Sequence, residues 1–264
     1  MKSLFEIEWC GGPAEKHFRK LRPFASELPW GTLAKTDHPA IQRERARRAW
    51  SSIAISEYRA AAAMADVLAA MLAARVPLDL VGMAGDFVAD ELMHVELASR
   101  LAMELGGGAP IHVDFESMGL CSDSPSALER ANDLVVRLAI SETLSGAIAV
   151  ETRSVVEHPL VAAIVERIAR DEARHERLGW LYLDWAAADM TDDERARVAA
   201  VARAELERIA PTWQKRANYM HSDAQARDFG WLGATRFRER AERTVRDDIV
   251  APLAKLGIVV DFTP

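Results

Sequence analysis

Two Glu-x-x-His units, each preceded by aspartate, stand 81 residues apart (171 − 90), at Asp90-Glu91-Leu92-Met93-His94 and Asp171-Glu172-Ala173-Arg174-His175. An Ile-Ser-Glu triplet is also repeated, at Ile55-Ser56-Glu57 and Ile140-Ser141-Glu142, so each half of the chain offers two glutamates and a histidine in the same order. On a helix, Glu at i and His at i+3 project from one face a turn apart, and both can reach one cation or two adjacent ones. One Glu from each of two helices and one Glu-x-x-His from each of two others is the donor set that holds a pair of metal ions inside a four-helix bundle. The repeat therefore asks for four long helices whose donor faces converge.

The rest of the chain agrees with that demand. Alanine, Leu, Arg and Glu are abundant and only 14 Gly occur, which favours helix when propensity is summed over long windows and predicts an all-α fold. With 264 residues, half of them apolar, the chain is long enough for a substantial core. The net charge of −7 argues against nonspecific binding to nucleic acid or to an anionic membrane. The basic run Arg43 to Arg48 reads as one solvated helix face. Two cysteines, Cys10 and Cys121, have no Cys or His at zinc-site spacing and fit a reducing cytoplasm. The first residues, with Lys2, Glu6 and Glu8, lack the apolar stretch of a secretory signal. The most apolar window, Ala60 to Ala74, is broken by Asp66 and is shorter than the roughly 20 residues that span a bilayer.

Punctuation by Pro and Gly divides the chain. Residues 1–37 hold Gly11-Gly12-Pro13, Pro23, Pro29 and Gly31 among Trp9, Phe18, Phe24 and Trp30, and predict an irregular arm packed down by its aromatics. Residues 38–190 predict the bundle. A first helix starts near Asp37 and Pro39 and runs to Arg75; a second opens at Pro77 and stops at Gly106-Gly107-Gly108. A third runs from Ser124-Pro125 to Glu157, and a fourth from Pro159 to about Ala188. Residues 191–264 predict a C-terminal helical extension packed on the bundle as part of a single domain. In it, Thr191 and Glu194 form a capping box, one helix ends at Pro211, another covers Ala234 to Leu256, and Gly257 to Val260 form a short extended tail.

The turns test the donor set independently of its motifs. The midpoint of Glu57 and Glu91 is residue 74, and that of Glu142 and Glu172 is residue 157; both lie beside the predicted breaks at Arg75 to Pro77 and His158-Pro159. In an antiparallel hairpin, residues equidistant from the turn share a height, here about 20 Å or more from the tip at 1.5 Å per residue. Each hairpin thus brings its lone Glu level with its Glu-x-x-His. Joining two hairpins with donor faces inward needs a connection as long as the bundle, and Gly106 to Pro125 is long enough.

Four carboxylates and two imidazoles form a mixed N/O environment suited to iron or manganese; zinc and copper prefer more thiolate or imidazole. Four buried carboxylates would repel one another without cations. Asp90 and Asp171 are placed to hold a donor imidazole on the opposite helix by its other ring nitrogen.

On these motifs the segment from Ile55 to Tyr182 resembles the ferritin-like diiron-carboxylate superfamily, and most closely its O2-activating branch of monooxygenases, desaturases and oxidases. The resemblance implies that Glu57, Glu91 and His94 bind one iron and Glu142, Glu172 and His175 the other, with Glu91 and Glu172 as bridges. It implies two Fe, or a Mn/Fe pair, as cofactor. Met93 stands where the branch often has the Arg that Arg174 keeps in the second unit. Ala98 replaces the radical Tyr of ribonucleotide reductase small subunits. Ile168 stands where arylamine N-oxygenases carry a third His, leaving His112 and His221 as the remaining candidates for a further ligand. The same face continues with Ala60, Ala61, Met64, Phe87, Leu101, Gly146, Ala149, Gly179 and Tyr182, mostly a packing surface. Tyr182 doubles as a candidate for electron transfer, whereas Trp180, Trp185, Trp213 and Trp231 read as core or interface residues.

The function implied is a cytoplasmic non-haem diiron oxygenase or oxidase that hydroxylates, N-oxygenates or desaturates a small organic substrate. No Rossmann, P-loop or four-Cys motif is present, so electrons would come from an external reductase or ferredoxin, or from the substrate. The rival is a ferroxidase or peroxide-scavenging metal-handling protein. Self-association of the helical bundle is a further expectation.

Overall fold

The computed structural model describes residues 2–216 and 227–263, and its regular structure is almost wholly helical. Four long helices dominate: α3 (Ala40–Ala73), α4 (Leu78–Glu104), α5 (Ala127–Arg153) and α6 (Pro159–Ala187). Helix α3 packs on α4 and α5 on α6, while α3 also meets α5 and α4 meets α6, so the four close around one interior.

The boundaries have local causes. Helix α3 ends with Arg75 in the left-handed region (φ 58°), and the Val76 and Arg75 amides turn back to the Met71 and Leu72 carbonyls. That is a Schellman closure made without its usual Gly, and Pro77 then starts the return helix. Gly106 and Gly107, at φ 113° and 105°, end α4 as the glycine run predicts. Ser126 caps α5 in a full capping box with Glu129, two residues after the predicted Ser124-Pro125 start. Pro159 occupies the first turn of α6.

Among the described residues two large apolar clusters fill the interior, and a small third one seats Val113 and Met118 of the α4–α5 connection on Ile55 of α3. One large cluster joins Met64 to Met71 of α3, Leu80 to Phe87 of α4, Ala131 to Ile140 of α5 and Leu178 to Ala186 of α6. The other joins Ala46 to Ala54 of α3, Met93 to Ala102 of α4 and Leu160 to Ile168 of α6. Thus α3 and α6 point one way and α4 and α5 the other. The segment between α4 and α5 accordingly lies along α3: the Ala109 amide donates to Ser51 Oγ at 2.9 Å and the Leu120 amide to Asp66 Oδ2 at 2.7 Å. A Cβ at Gly119 would collide with the Asp66 carboxylate, so the close approach needs glycine there. Within this segment β2 (His112–Val113) pairs antiparallel with β1 (Ser3–Leu4).

Three expectations are corrected. The N-terminal arm is not irregular: it contains α1 (Gly12–Leu21) and α2 (Phe24–Glu27). Pro13 suits the first turn of α1, and Arg19 ties α1 to α4 through Glu96 at 2.7 Å. Pro211 does not end its helix, because α7 (Asp192–Arg216) continues through it, at the loss of one backbone donor. The basic run is only partly a solvated face. Arg43 and Arg47 turn inward and donate to the carbonyls of Glu104, Gly107 and Gly108 at the end of α4, where helix carbonyls lack partners.

Helix α7, capped by Thr191 and Glu194, and α8 (Ala234–Thr244) pack on α5. A π-helical turn (Val245–Val250) leads into α9 (Ala251–Lys255). In the tail Ile258 and Val260 are buried while Val259 is exposed, the alternation of an extended segment. Among the described residues, no helix is long and apolar enough to cross a membrane.

Candidate metal centre

The six predicted donors occupy the level between the two apolar clusters. Glu57 comes from α3, Glu91 and His94 from α4, Glu142 from α5, and Glu172 and His175 from α6. Both imidazoles are fully buried and Glu91, Glu142 and Glu172 nearly so, whereas the Glu57 side chain keeps 15% of its exposure. Six titratable groups in a dry layer are costly unless charge and hydrogen bonding are satisfied there.

They assemble as two groups of four, Glu57 with Glu91, His94 and Glu172, and Glu91 with Glu142, Glu172 and His175. In each group one donor atom per residue lies within 4.8 Å of all the others. Glu91 and Glu172 belong to both, which is the position of a bridging carboxylate. His94 Nδ1 stands 3.6 Å from Glu57, 3.7 Å from Glu91 and 3.9 Å from Glu172. His175 Nδ1 stands 2.9 Å from Glu91 and 3.3 Å from Glu142.

Within this cluster both Glu91 oxygens, Glu172 Oε2 and both Nδ1 atoms are buried without a hydrogen bond. Buried acceptors in native proteins nearly always have a partner, and these lone pairs converge on two common points. The residues therefore fit a pair of cations with mixed carboxylate and imidazole donors.

Without a cation, the charges show how much the arrangement needs one. Burial, with the Glu91 carboxylate close by, pushes the Glu57 carboxyl up to about 7, even though His94 pulls the other way. Burial, then Glu142 and Glu91, push Glu172 well above the ordinary carboxylate range. Burial opposes protonation of His175, but Asp90, Glu142 and Glu91 overcome it and push the imidazole up to about 12. His94 is raised likewise, by Asp171, Glu57 and Glu91 against burial. Burial would raise Glu91, yet the His175 and His94 imidazoles hold it below its usual value. A metal-free centre thus keeps protons on groups that must lose them to become ligands, so metal binding releases protons.

The outer nitrogens point to aspartates across the helix pair. His94 Nε2 meets Asp171 Oδ2 at 3.3 Å, and His175 Nε2 stands 3.6 Å from Asp90 Oδ2. Each Asp thus faces the imidazole of the other motif. Two arginines of α6 tie the aspartates together. Arg174 donates to Asp90 at 2.9 Å and to Asp171 at 2.7 Å, while Arg167 donates to Asp171 and stands 3.5 Å from Asp90. Arg167 was not singled out by sequence reasoning; its signal is its position one turn before Asp171 on the same face. Met93, in place of a second Arg, is buried in the apolar cluster beside this network.

The remaining candidates stand apart. His112 is exposed on β2, outside both donor groups, and His221 lies outside the described residues. Tyr182 is fully buried and its hydroxyl donates to Asn132 Oδ1 at 2.9 Å. A neutral amide cannot take the proton that a tyrosine releases on oxidation, so the contact is that of a core Tyr. Trp180 donates to Thr143 Oγ1 at 3.0 Å, Trp231 packs on Trp50, and Trp185 is partly exposed against Tyr182. The Trp213 side chain lies outside the described residues. Small residues on the donor face serve close packing: a Cβ at Gly146 would stand 3.4 Å from Glu172 Cβ, and one at Gly179 would stand 2.7 Å from Ala139 Cβ. Phe87 lies against His175, ring centres 4.3 Å apart, and seals the apolar side of the centre.

No protein-family model and no curated protein matches this chain.

Proposed function

We propose that the chain is a ferritin-like dinuclear metalloenzyme that uses O2 to hydroxylate, N-oxygenate or desaturate a small organic substrate. The observation that carries the reading is the pair of four-donor groups sharing Glu91 and Glu172. Two hairpins level at their donors, and a connection lying along α3, support the ferritin-like assignment with a long crossover between its second and third helices.

In this reading Glu57 and His94 would hold one metal and Glu142 and His175 the other, with Glu91 and Glu172, which belong to both groups, available to either. Bound there, two irons or a manganese–iron pair would supply the redox chemistry by which O2 is reduced and the substrate oxidised. Asp171 engages the outer nitrogen of His94, which leaves its Nδ1 free to bind and fixes the ring orientation, while Asp90 faces the outer nitrogen of His175 at 3.6 Å without a hydrogen bond. The apolar layers above and below exclude bulk water and strengthen every electrostatic interaction in the centre. Glu57, the most exposed donor, marks the side on which the centre meets solvent. Electrons arrive from an external reductase or ferredoxin or from the substrate, and the cytoplasm is the compartment that fits two free cysteines.

The test is anaerobic loading with ferrous iron followed by oxygen. An oxygenase binds two ferrous ions per chain, oxidises only those, and couples further turnover to an organic substrate and reductant. Continued oxidation of excess iron into a mineral would replace this reading with the metal-handling one. Failure of Glu91→Ala and Glu172→Ala to lower iron stoichiometry would overturn both.

A further inference from the structure

A second polar site lies outside the bundle interior. Between α5 and α8 is a groove open to solvent, with a volume of about 360 Å³, lined by Glu151, Thr235, Arg236, Glu239, Arg240 and Arg243, four of them exposed. That volume is at the lower end for pockets that hold small ligands. Glu151 is about two and a half turns along α5 from Glu142 and on the opposite side of the helix, so the groove does not open onto the metal centre.

Three guanidiniums meet two carboxylates there, an excess of positive charge on a chain whose net charge is −7. Arg236 is committed: it donates to Glu151 and, at 3.1 Å, to Ser154 Oγ, tying α8 to α5. Arg240 is not. Its Nε is buried and has no hydrogen-bond acceptor, although its charge is felt by Glu176 on α6. Among the described residues Arg243 likewise has no hydrogen bond or ion pair, and Glu239 takes none of the spare donors. A buried guanidinium donor without a protein acceptor is rare, and an anion held between Arg240 and Arg243 would supply one. Arg240 and Arg243, three residues apart, sit on one helix face and can grip one oxyanion together, with the Thr235 hydroxyl as a further donor.

We propose that this groove binds an oxyanion group, the phosphate or carboxylate of a small metabolite, at a site separate from the metal centre. The shared chemistry is a compact group with several acceptor oxygens, which matches the fork geometry of guanidinium.

The proposal is tested on the full chain by calorimetric titration with inorganic phosphate and, separately, with citrate in low-salt buffer. One saturable site per chain is expected, weakened at least tenfold by Arg240→Gln and by Arg243→Gln and unchanged by Arg203→Gln, whose partner Glu207 lies elsewhere on α7. Tighter phosphate binding would identify a phosphate ester as the ligand class, and tighter citrate binding a polycarboxylate. Arg243 is exposed, so its variant remains informative even if Arg240→Gln fails to fold. Absence of saturable binding with both probes overturns the site. So does binding that persists undiminished in Arg243→Gln, which would place the anion elsewhere, for example on the metals.

Discussion

Replacing Asp171 with Asn should weaken metal binding and the metal-free fold together. The Asp171 side chain is fully buried and serves His94, Arg167 and Arg174. Asparagine keeps one carbonyl acceptor but loses the charge and the second acceptor. Arg174 is half exposed and contributes little, so the loss falls on the buried His94 contact and on Arg167. One charge-assisted bond lost and another weakened costs about 2–4 kcal/mol of unfolding free energy in the metal-free chain. With the ring no longer held, metal affinity should fall about 10- to 100-fold, which is about 1.4–2.7 kcal/mol. Urea unfolding measures the first quantity and anaerobic titration with Mn(II), read by the paramagnetic resonance of the free ion, the second. Asp90→Asn is the internal control: Asp90 retains 16% exposure and stands farther from its imidazole, so both losses should be smaller. An Asp171→Asn protein with native Mn(II) affinity would refute the claim that Asp171 positions His94, even if it were less stable. Equal effects from the two variants would refute the ranking by burial. The pH sign follows from the same contacts. Burial works against ionisation, but His94 and Arg167 hold Asp171 below its unfolded value of 3.8, so its contribution is present above that value and is lost as pH falls through the lower folded one.

Glu57 behaves oppositely in the metal-free chain. Raised from 4.5 to about 7, it supports folding below pH 4.5 and loses that support as pH rises through 7. The melting temperature of the metal-free protein should therefore fall across this window, less steeply in Glu57→Gln, whereas metal-loaded protein should gain stability with pH; parallel melts of both forms decide it. Gly179→Ala should destabilise by about 1–3 kcal/mol in urea unfolding, because the new Cβ meets the Ala139 backbone as well as its side chain. Gly82→Ala, on the exposed side of α4 with nothing within 4 Å, should instead stabilise by about 0.5–1 kcal/mol. Tyr182→Phe should cost about 1–3 kcal/mol by leaving Asn132 Oδ1 unpaired, with Mn(II) stoichiometry and affinity unchanged; a loss of metal binding would restore a role for this residue at the centre.

Much of the helix plan was legible because its signals are local. Pro77, Gly106 to Gly108 and Pro159 act within a turn of where they stand, and equal spacing from a turn fixes height along a hairpin whatever surrounds it. What failed was equally local in cause: Gly12-Pro13 reads as a break when the α1 that it starts is held by tertiary contacts such as Arg19 to Glu96. Pro211 reads as a stop, although α7 continues past it to Arg216.

By itself, then, the sequence determined which side chains share a height and a helix face, since the 3.6-residue period and the turn positions are properties of each segment alone. Only the tertiary structure decided which partners meet across helices: that Asp171 faces His94 and Asp90 faces His175, that Arg167 and Arg174 link the two aspartates, and that the donors lie between two apolar layers. Those pairings depend on the rotation of each helix about its own axis. That rotation is set by the packing of all the buried side chains at once, so no single segment encodes it.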